Sequence, residues 1–188
     1  TIPANGKFSK KQKEIYDSVL KANRSVIAMM KPGVVSYPQM DRESRRVIIE
    51  ELTKLGLMKP GFTLDECIKD GVHRLFMPHG LGHLVGLDVH DVGFLSYKSE
   101  KILEPGMLIT VEPGIYFIDF VLEKAFKDPV QSKYINEEVV RQYMGMGGVR
   151  IEDDVFITED GVINLNADLP RTTEEIEKFM KENNSYLK

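Results

Sequence analysis

His79-Gly80-Leu81-Gly82-His83-Leu84-Val85-Gly86-Leu87-Asp88-Val89-His90-Asp91 is the stretch around which this sequence is organised. It holds three of the chain's four histidines, and Gly80, Gly82 and Gly86 leave room for close backbone approach. Two carboxylate segments follow, Thr110-Val111-Glu112-Pro113-Gly114 and Gly148-Val149-Arg150-Ile151-Glu152-Asp153-Asp154. Each reads as a β-strand that delivers one glutamate at a turn or strand end. One imidazole and two glutamates on separate elements suit a hard or borderline divalent metal. Glu112 closes an apolar run, and a carboxylate there needs a partner or a metal. On a strand Arg150 and Glu152 point to the same face, which allows an ion pair as readily as a ligand site. Taken on their own, His79 and His83 read as turn residues before they read as ligands, and Asp153 and Asp154 as surface or turn carboxylates. The run Gly145 to Gly148 lacks the Lys-Ser/Thr of a phosphate loop, and no H-E-x-x-H or cysteine zinc motif is present.

Working outward, helical spacing dominates the first half. Asn5-Gly6 marks a turn. Ser9 and Gln12 form a capping box for a helix carrying Ile15, Val19, Ala22, Val26 and Met30, which Pro32-Gly33 ends. Ser36 caps a second helix from about Pro38 to Leu55. Thr63 with Glu66 opens a third, shorter one through Leu64, Ile68 and Val72. Met29 and Met30 read as core filler. After the histidine stretch, Leu95 to Glu104 reads as a solvated segment, Met107 to Val111 as a buried strand, and Ile115 to Ile118 as its continuation past Pro113-Gly114. Phe120 to Tyr143 reads as mostly helical, interrupted at Asp128-Pro129. A strand from Val149 to Ile157 follows, then a hairpin turn at Asp160-Gly161 and a short strand from Val162 to Leu165. Thr172 with Glu175 starts a last helix carrying Ile176, Phe179 and Met180, and the tail from Lys181 should fray. Helices first and strands later argue for an α+β fold.

With 188 residues the chain is long enough for one domain with a substantial core. A net charge of -4 gives no reason to expect nucleic acid or an anionic membrane as partner. Cys67 stands alone, so no internal disulfide forms and a reducing compartment is expected. No apolar run approaches the ~20 residues of a membrane span, and the first residues show no signal-peptide pattern. Together these suggest a cytoplasmic location.

Phe76-Met77-Pro78-His79-Gly80-Leu81-Gly82-His83 and Gly86-Leu87-Asp88-Val89-His90-Asp91-Val92-Gly93 resemble the prolidases, the Xaa-Pro dipeptidases among the M24 metallopeptidases. The resemblance continues through Leu103-Glu104-Pro105-Gly106-Met107, the run from Thr110 to Asp119, and Gly147-Gly148-Val149-Arg150-Ile151-Glu152, with Pro3 to Phe8 and Pro170-Arg171-Thr172 matching near the two ends. It covers nearly the whole chain and implies a pita-bread fold, a curved antiparallel sheet flanked by helices. It further implies two divalent metal ions, Mn²⁺ being favoured and Zn²⁺ or Co²⁺ the alternatives, held in the family by two aspartates, one histidine and two glutamates. By motif His83, Glu112 and Glu152 match the metal-binding histidine and glutamates. His90 matches a histidine that contacts substrate and stabilises the tetrahedral intermediate. Arg150 matches a supporting arginine, and His79 a pocket histidine. Glu112 would also move a proton towards the leaving proline nitrogen. Catalytic duties are thus expected of His90, Glu112 and Arg150, and substrate contacts of His79, His90, Lys98 and Arg150.

The chain departs from the family pattern in two places. Both family aspartates lie before the Pro3 to Phe8 motif, so residues 1–188 are expected to be a partial pita-bread domain, incomplete at its N-terminal side and inactive alone. A companion chain or a homodimer contact would then complete it. Val92-Gly93-Phe94 also runs straight into Leu95-Ser96-Tyr97, where prolidases carry a longer loop before an arginine for the substrate carboxylate. Lys98 is the nearest positional match, and it holds a carboxylate as a point charge without arginine's fork. Besides the dipeptidase, the residues allow an aminopeptidase P acting on longer peptides, although Phe117 to Gly147 looks more like prolidase. They also allow a non-catalytic interaction module, against which the retention of His83, Glu112 and Glu152 argues.

Overall fold

The computed structural model describes residues 1–93 and 101–183. The architecture is α+β. Two long helices, α1 (Lys10–Met29) and α2 (Tyr37–Lys54), pack against each other. Two short ones follow, α3 (Leu64–Lys69) and α4 (His73–Phe76). Then come β1 (Leu108–Val111), β2 (Gly114–Tyr116), α5 (Asp119–Lys127), α6 (Glu137–Arg141), β3 (Gly148–Arg150), β4 (Asp153–Ile157), β5 (Val162–Asn164) and α7 (Thr173–Asn183). The caps follow from local chemistry. Ser9 and Gln12, Thr63 and Glu66, and Thr172 and Glu175 each exchange side-chain and backbone bonds, and the Gln39 side chain returns to the Ser36 N–H at 2.8 Å. Gly33, with φ 71°, turns the chain out of α1 as expected. Among the described residues no helix is long and apolar enough to cross a membrane.

The strands form one antiparallel ribbon with a central interruption. β1 pairs with β4, Val111 opposite Asp153, and β2 pairs with β3, Gly114 opposite Arg150. The register is the same on both sides of the gap, so Glu112 stands opposite Glu152 and Pro113 opposite Ile151. Pro113 has no N–H to give, and Ile151 donates alone, to the Pro113 carbonyl at 3.2 Å. Hence the single strand expected from Val149 to Ile157 is two strands, and Glu152 sits in the break. β5 continues the sheet on the far side of β4. On the near side the histidine stretch pairs with β1: Glu112 N–H donates to Leu81 O at 2.8 Å, Thr110 N–H to His83 O at 2.9 Å and Val85 N–H to Leu108 O at 3.0 Å.

Other expectations shift by a few residues. The segment from Phe120 to Tyr143 is α5, a 3₁₀ turn at Gln131–Lys133 and α6, because the Asp128 side chain accepts the Val130 and Gln131 N–H groups and reorients the chain. β2 stops at Tyr116, and Ile118 becomes the cap of α5. α4 is a short helix that periodicity did not reveal. Asp153 is not a surface carboxylate: it is 2% exposed, on the ribbon face that packs towards α1. Two apolar clusters hold the layers together. One gathers α1, α2, α5, β2 and β3 around Ile15, Leu52, Phe76, Ile115 and Leu122; the other joins Val26 and Met40 to Leu81, Ile109, Val111 and Val155.

A buried ion pair on α2 ties the helices to the loop before the histidine stretch. Arg45 Nε donates to Asp41 Oδ2 at 2.7 Å, and its two terminal nitrogens donate to the carbonyls of Met77 at 3.2 Å and His79 at 3.0 Å. Both side chains are almost fully buried. Removing one partner takes this pairing from the other buried charge, so Asp41→Ala or Arg45→Met should each cost about 3–5 kcal/mol in urea unfolding, and replacing both with apolar residues should cost clearly less than the two single losses together.

Candidate metal centre

Antiparallel pairing places opposed residues on one face, and residues two apart along a strand share that face. His83 opposes Thr110, Thr110 is two residues from Glu112, and Glu112 opposes Glu152. The register therefore carries His83, Thr110, Glu112 and Glu152 to the same side of the sheet from three separate segments. In the structure His83, Glu112 and Glu152 each offer a ligand atom, all within 4.8 Å of one another.

Each donor is held by its neighbours. The His83 ring places Nδ1 2.8 Å from the Leu84 carbonyl. An N–H on Nδ1 donating to that carbonyl leaves the Nε2 lone pair facing the cluster, 3.4 Å from Glu112 Oε1. Glu112 is 7% exposed. The Thr110 hydroxyl donates to its Oε1 at 2.9 Å and Arg150 Nη1 to its Oε2, also at 2.9 Å. A buried carboxylate is thereby satisfied from both sides. The Thr110 hydroxyl also accepts the His83 N–H at 2.9 Å, so one side chain fixes both donors. Gly82 is required for this approach, since a Cβ there would lie 1.9 Å from the Thr110 carbonyl oxygen.

Arg150 is itself aimed by Tyr116, whose hydroxyl accepts its Nε–H at 2.5 Å. The Tyr116 ring lies across Gly148, where a Cβ would meet Cδ1 at 2.4 Å. The His79 ring meets the same tyrosine edge-on, with centroids 5.3 Å apart, and burial pushes the His79 pKa below the ordinary imidazole value. The His90 ring meets His83 edge-on at 4.7 Å and is open to solvent. Thus the structure gathers His79, His83, His90, Glu112, Arg150 and Glu152 in one region. Lys98 lies outside the described residues. Thr110, Tyr116, Asn23 (whose amide donates to the Val111 carbonyl at 3.0 Å) and Tyr37 (whose hydroxyl accepts the Gly82 N–H at 3.2 Å) were not singled out in the sequence. Only Thr110 had a signal, its position two residues from Glu112.

The donor set fits a divalent cation. One imidazole and two carboxylates suit Mn²⁺- or Zn²⁺-like ions better than soft-ligand metals. Electrostatics points the same way. Glu152 keeps contact with water, yet its pKa lies above the usual carboxylate range, first because neighbouring atoms displace water from it and next because Glu112 and Asp154 repel its charge. A cation would relieve that repulsion.

Comparison with known proteins gives a consistent picture. The profile described as metallopeptidase family M24 matches residues 1–159. The Xaa-Pro dipeptidase of Rattus norvegicus is 46% identical over 96% of this chain, and that of Homo sapiens 44% identical over 96%. The chain spans 38% of the length of each. Among solved structures, zinc-substituted Escherichia coli aminopeptidase P in complex with product superposes with a TM-score of 0.76 at 40% identity, covering 96% of this chain and 37% of that one.

Because the Glu152 pKa is raised, the folded metal-free chain holds this proton more tightly than the unfolded chain does. Its ionised form therefore costs stability, a cost absent at low pH that grows as pH rises through the unfolded value near 4.3 to the higher folded one. Glu152→Gln removes the charge. In the metal-free protein it should raise the melting temperature slightly at pH 7 and leave it unchanged at pH 4, as read by thermal circular dichroism in chelator.

Proposed function

The chain belongs to metallopeptidase family M24 and shares its α+β pita-bread fold, and on that premise we propose that it is the metal-binding C-terminal part of a peptidase that hydrolyses Xaa-Pro dipeptides. The observation that supports this most is the convergence of His83, Glu112 and Glu152 within 4.8 Å on one face of the ribbon. His83, Glu112 and Glu152 would hold divalent metal, Mn²⁺ favoured, with Zn²⁺ or Co²⁺ as alternatives. The ions would supply Lewis acidity and an activated water at neutral pH.

The chain's own residues do the rest. Glu112, steadied through Oε2 by Arg150, can accept a proton through its other oxygen and pass it to the leaving proline nitrogen. His90, beside His83 and exposed, contacts substrate and donates a hydrogen bond to the oxygen that gains charge. His79, held against Tyr116 and lowered in pKa, stays neutral and lines the substrate pocket. Arg150 positions Glu112 and adds positive charge beside the substrate. Lys98 takes the free carboxylate of the dipeptide as a point charge. Among the described residues His83, Glu112 and Glu152 are the ones gathered at ligand distance, and a second ion would need further donors. A cytoplasmic setting fits the lone Cys67.

A second reading, an aminopeptidase P-like enzyme, is favoured by the aminopeptidase P structural match at TM-score 0.76. Substrate length separates the two. In the full-length protein reconstituted with Mn²⁺, Gly-Pro should be cleaved and an Xaa-Pro tripeptide should not; the reverse preference supports aminopeptidase P, and cleavage of neither supports an interaction module. Glu152→Gln should lower kcat/KM for Gly-Pro by at least about 100-fold, because a neutral amide cannot offset the metal charge. Lys98→Ala should raise KM for dipeptides and leave a C-terminally amidated substrate nearly unchanged. The 188-residue chain alone should show no turnover in the same assay.

A further inference from the structure

Resting on the metal-centre reading above, we propose that Arg171 is a positioning residue for Glu152, holding the broken strand that presents this donor. β5 supports β4 only part of the way along. Val155 pairs with Asn164, the Leu165 N–H donates to Asp154 O at 2.9 Å, and the Asp154 N–H donates to Asn166 Oδ1 at 2.6 Å. Two residues back from Asp154 the strand partner is gone, and the Glu152 carbonyl points outward from the ribbon. Arg171 takes the place of the missing strand. Its Nη2 donates to the Glu152 carbonyl at 3.2 Å and forms an ion pair with Asp153 Oδ1 on the buried face.

One guanidinium thus grips the two consecutive residues at the gap, one through its backbone and one through its side chain. Its base is firm. The N–H groups of Arg171 and Thr172 both donate to Glu175 Oε2, at 3.0 and 2.9 Å, and Thr173 and Ile176 of α7 are buried. Opposite Glu152 lies Glu112, and the adjoining Ile151 faces Pro113, which has no N–H to give, so the ladder alone leaves that point weakly held, while Glu112 and Asp154 push the Glu152 carboxylate away. Arg171 supplies the opposing restraint from the far side of the sheet, without touching metal or substrate.

The test is Mn²⁺ titration by isothermal calorimetry on the full-length protein, alongside thermal melts. Arg171→Met should weaken Mn²⁺ binding about 10- to 100-fold, the usual effect of removing a group that orients a ligand. Arg171→Lys, which keeps the charge for Asp153 on a flexible ammonium in place of the planar guanidinium, should fall in between. The double variant Asp153→Asn/Arg171→Met removes both buried charges. It should regain melting temperature lost by Arg171→Met yet bind Mn²⁺ as weakly. A folded Arg171→Met protein, or a folded double variant, that binds Mn²⁺ as wild type does would show that Arg171 merely neutralises Asp153. Should Arg171→Met not fold, the lysine and double variants carry the comparison. Wild-type protein that binds no Mn²⁺ would overturn the metal-centre reading itself.

Discussion

Two carboxylates face each other across an antiparallel ribbon, and much of the molecule is arranged around that repulsion. Like charges directly opposed on neighbouring strands destabilise a sheet. Here they sit where Pro113 has already removed a ladder donor, so the ribbon is weakest where Glu112 and Glu152 meet. The neighbours compensate from each direction. Thr110 and Arg150 bind the two oxygens of Glu112, His83 brings a ring nitrogen alongside, and Arg171 braces the backbone of Glu152. A group of this kind is costly when empty, and that cost favours capture of a cation.

The helices contribute rigidity more than chemistry. α1 and α2 form one wall of the core, and the Asp41–Arg45 pair projects from α2 to fix the carbonyls of Met77 and His79. From there His79 meets Tyr116, Tyr116 binds Arg150, and Arg150 binds Glu112. A continuous path of packed and hydrogen-bonded side chains thus leads from a buried helix face to a candidate metal donor. Its hydrogen-bonded links are short and directional, which suits a site whose donors must keep their spacing.

Stability and binding pull against one another at this face. Pairing on both sides of β1 makes the scaffold stiff, whereas Glu152 retains water on one side and carries a raised pKa. The buried counterpart is Asp153, one residue on and pointing the other way, which is neutralised by Arg171. Two adjacent acids therefore have opposite roles because a strand alternates its faces.

From the sequence alone the α+β order, the helix caps at Ser9, Ser36, Thr63 and Thr172, the hairpin at Asp160-Gly161 and the gathering of His83, Glu112 and Glu152 were legible, because caps, turns and period-two alternation are local and the motif residues resemble a known family. Tertiary structure decided what depends on partners far along the chain. The break between β3 and β4 follows from Pro113, which lies some forty residues earlier and opposite Ile151. Burial of Asp153 depends on Arg171, which local pattern cannot join to it, and the use of Thr110 and Tyr116 as supports depends on register across strands. Periodicity reports which face of an element is apolar, but only the pairing of distant strands determines which polar side chains stand opposite one another.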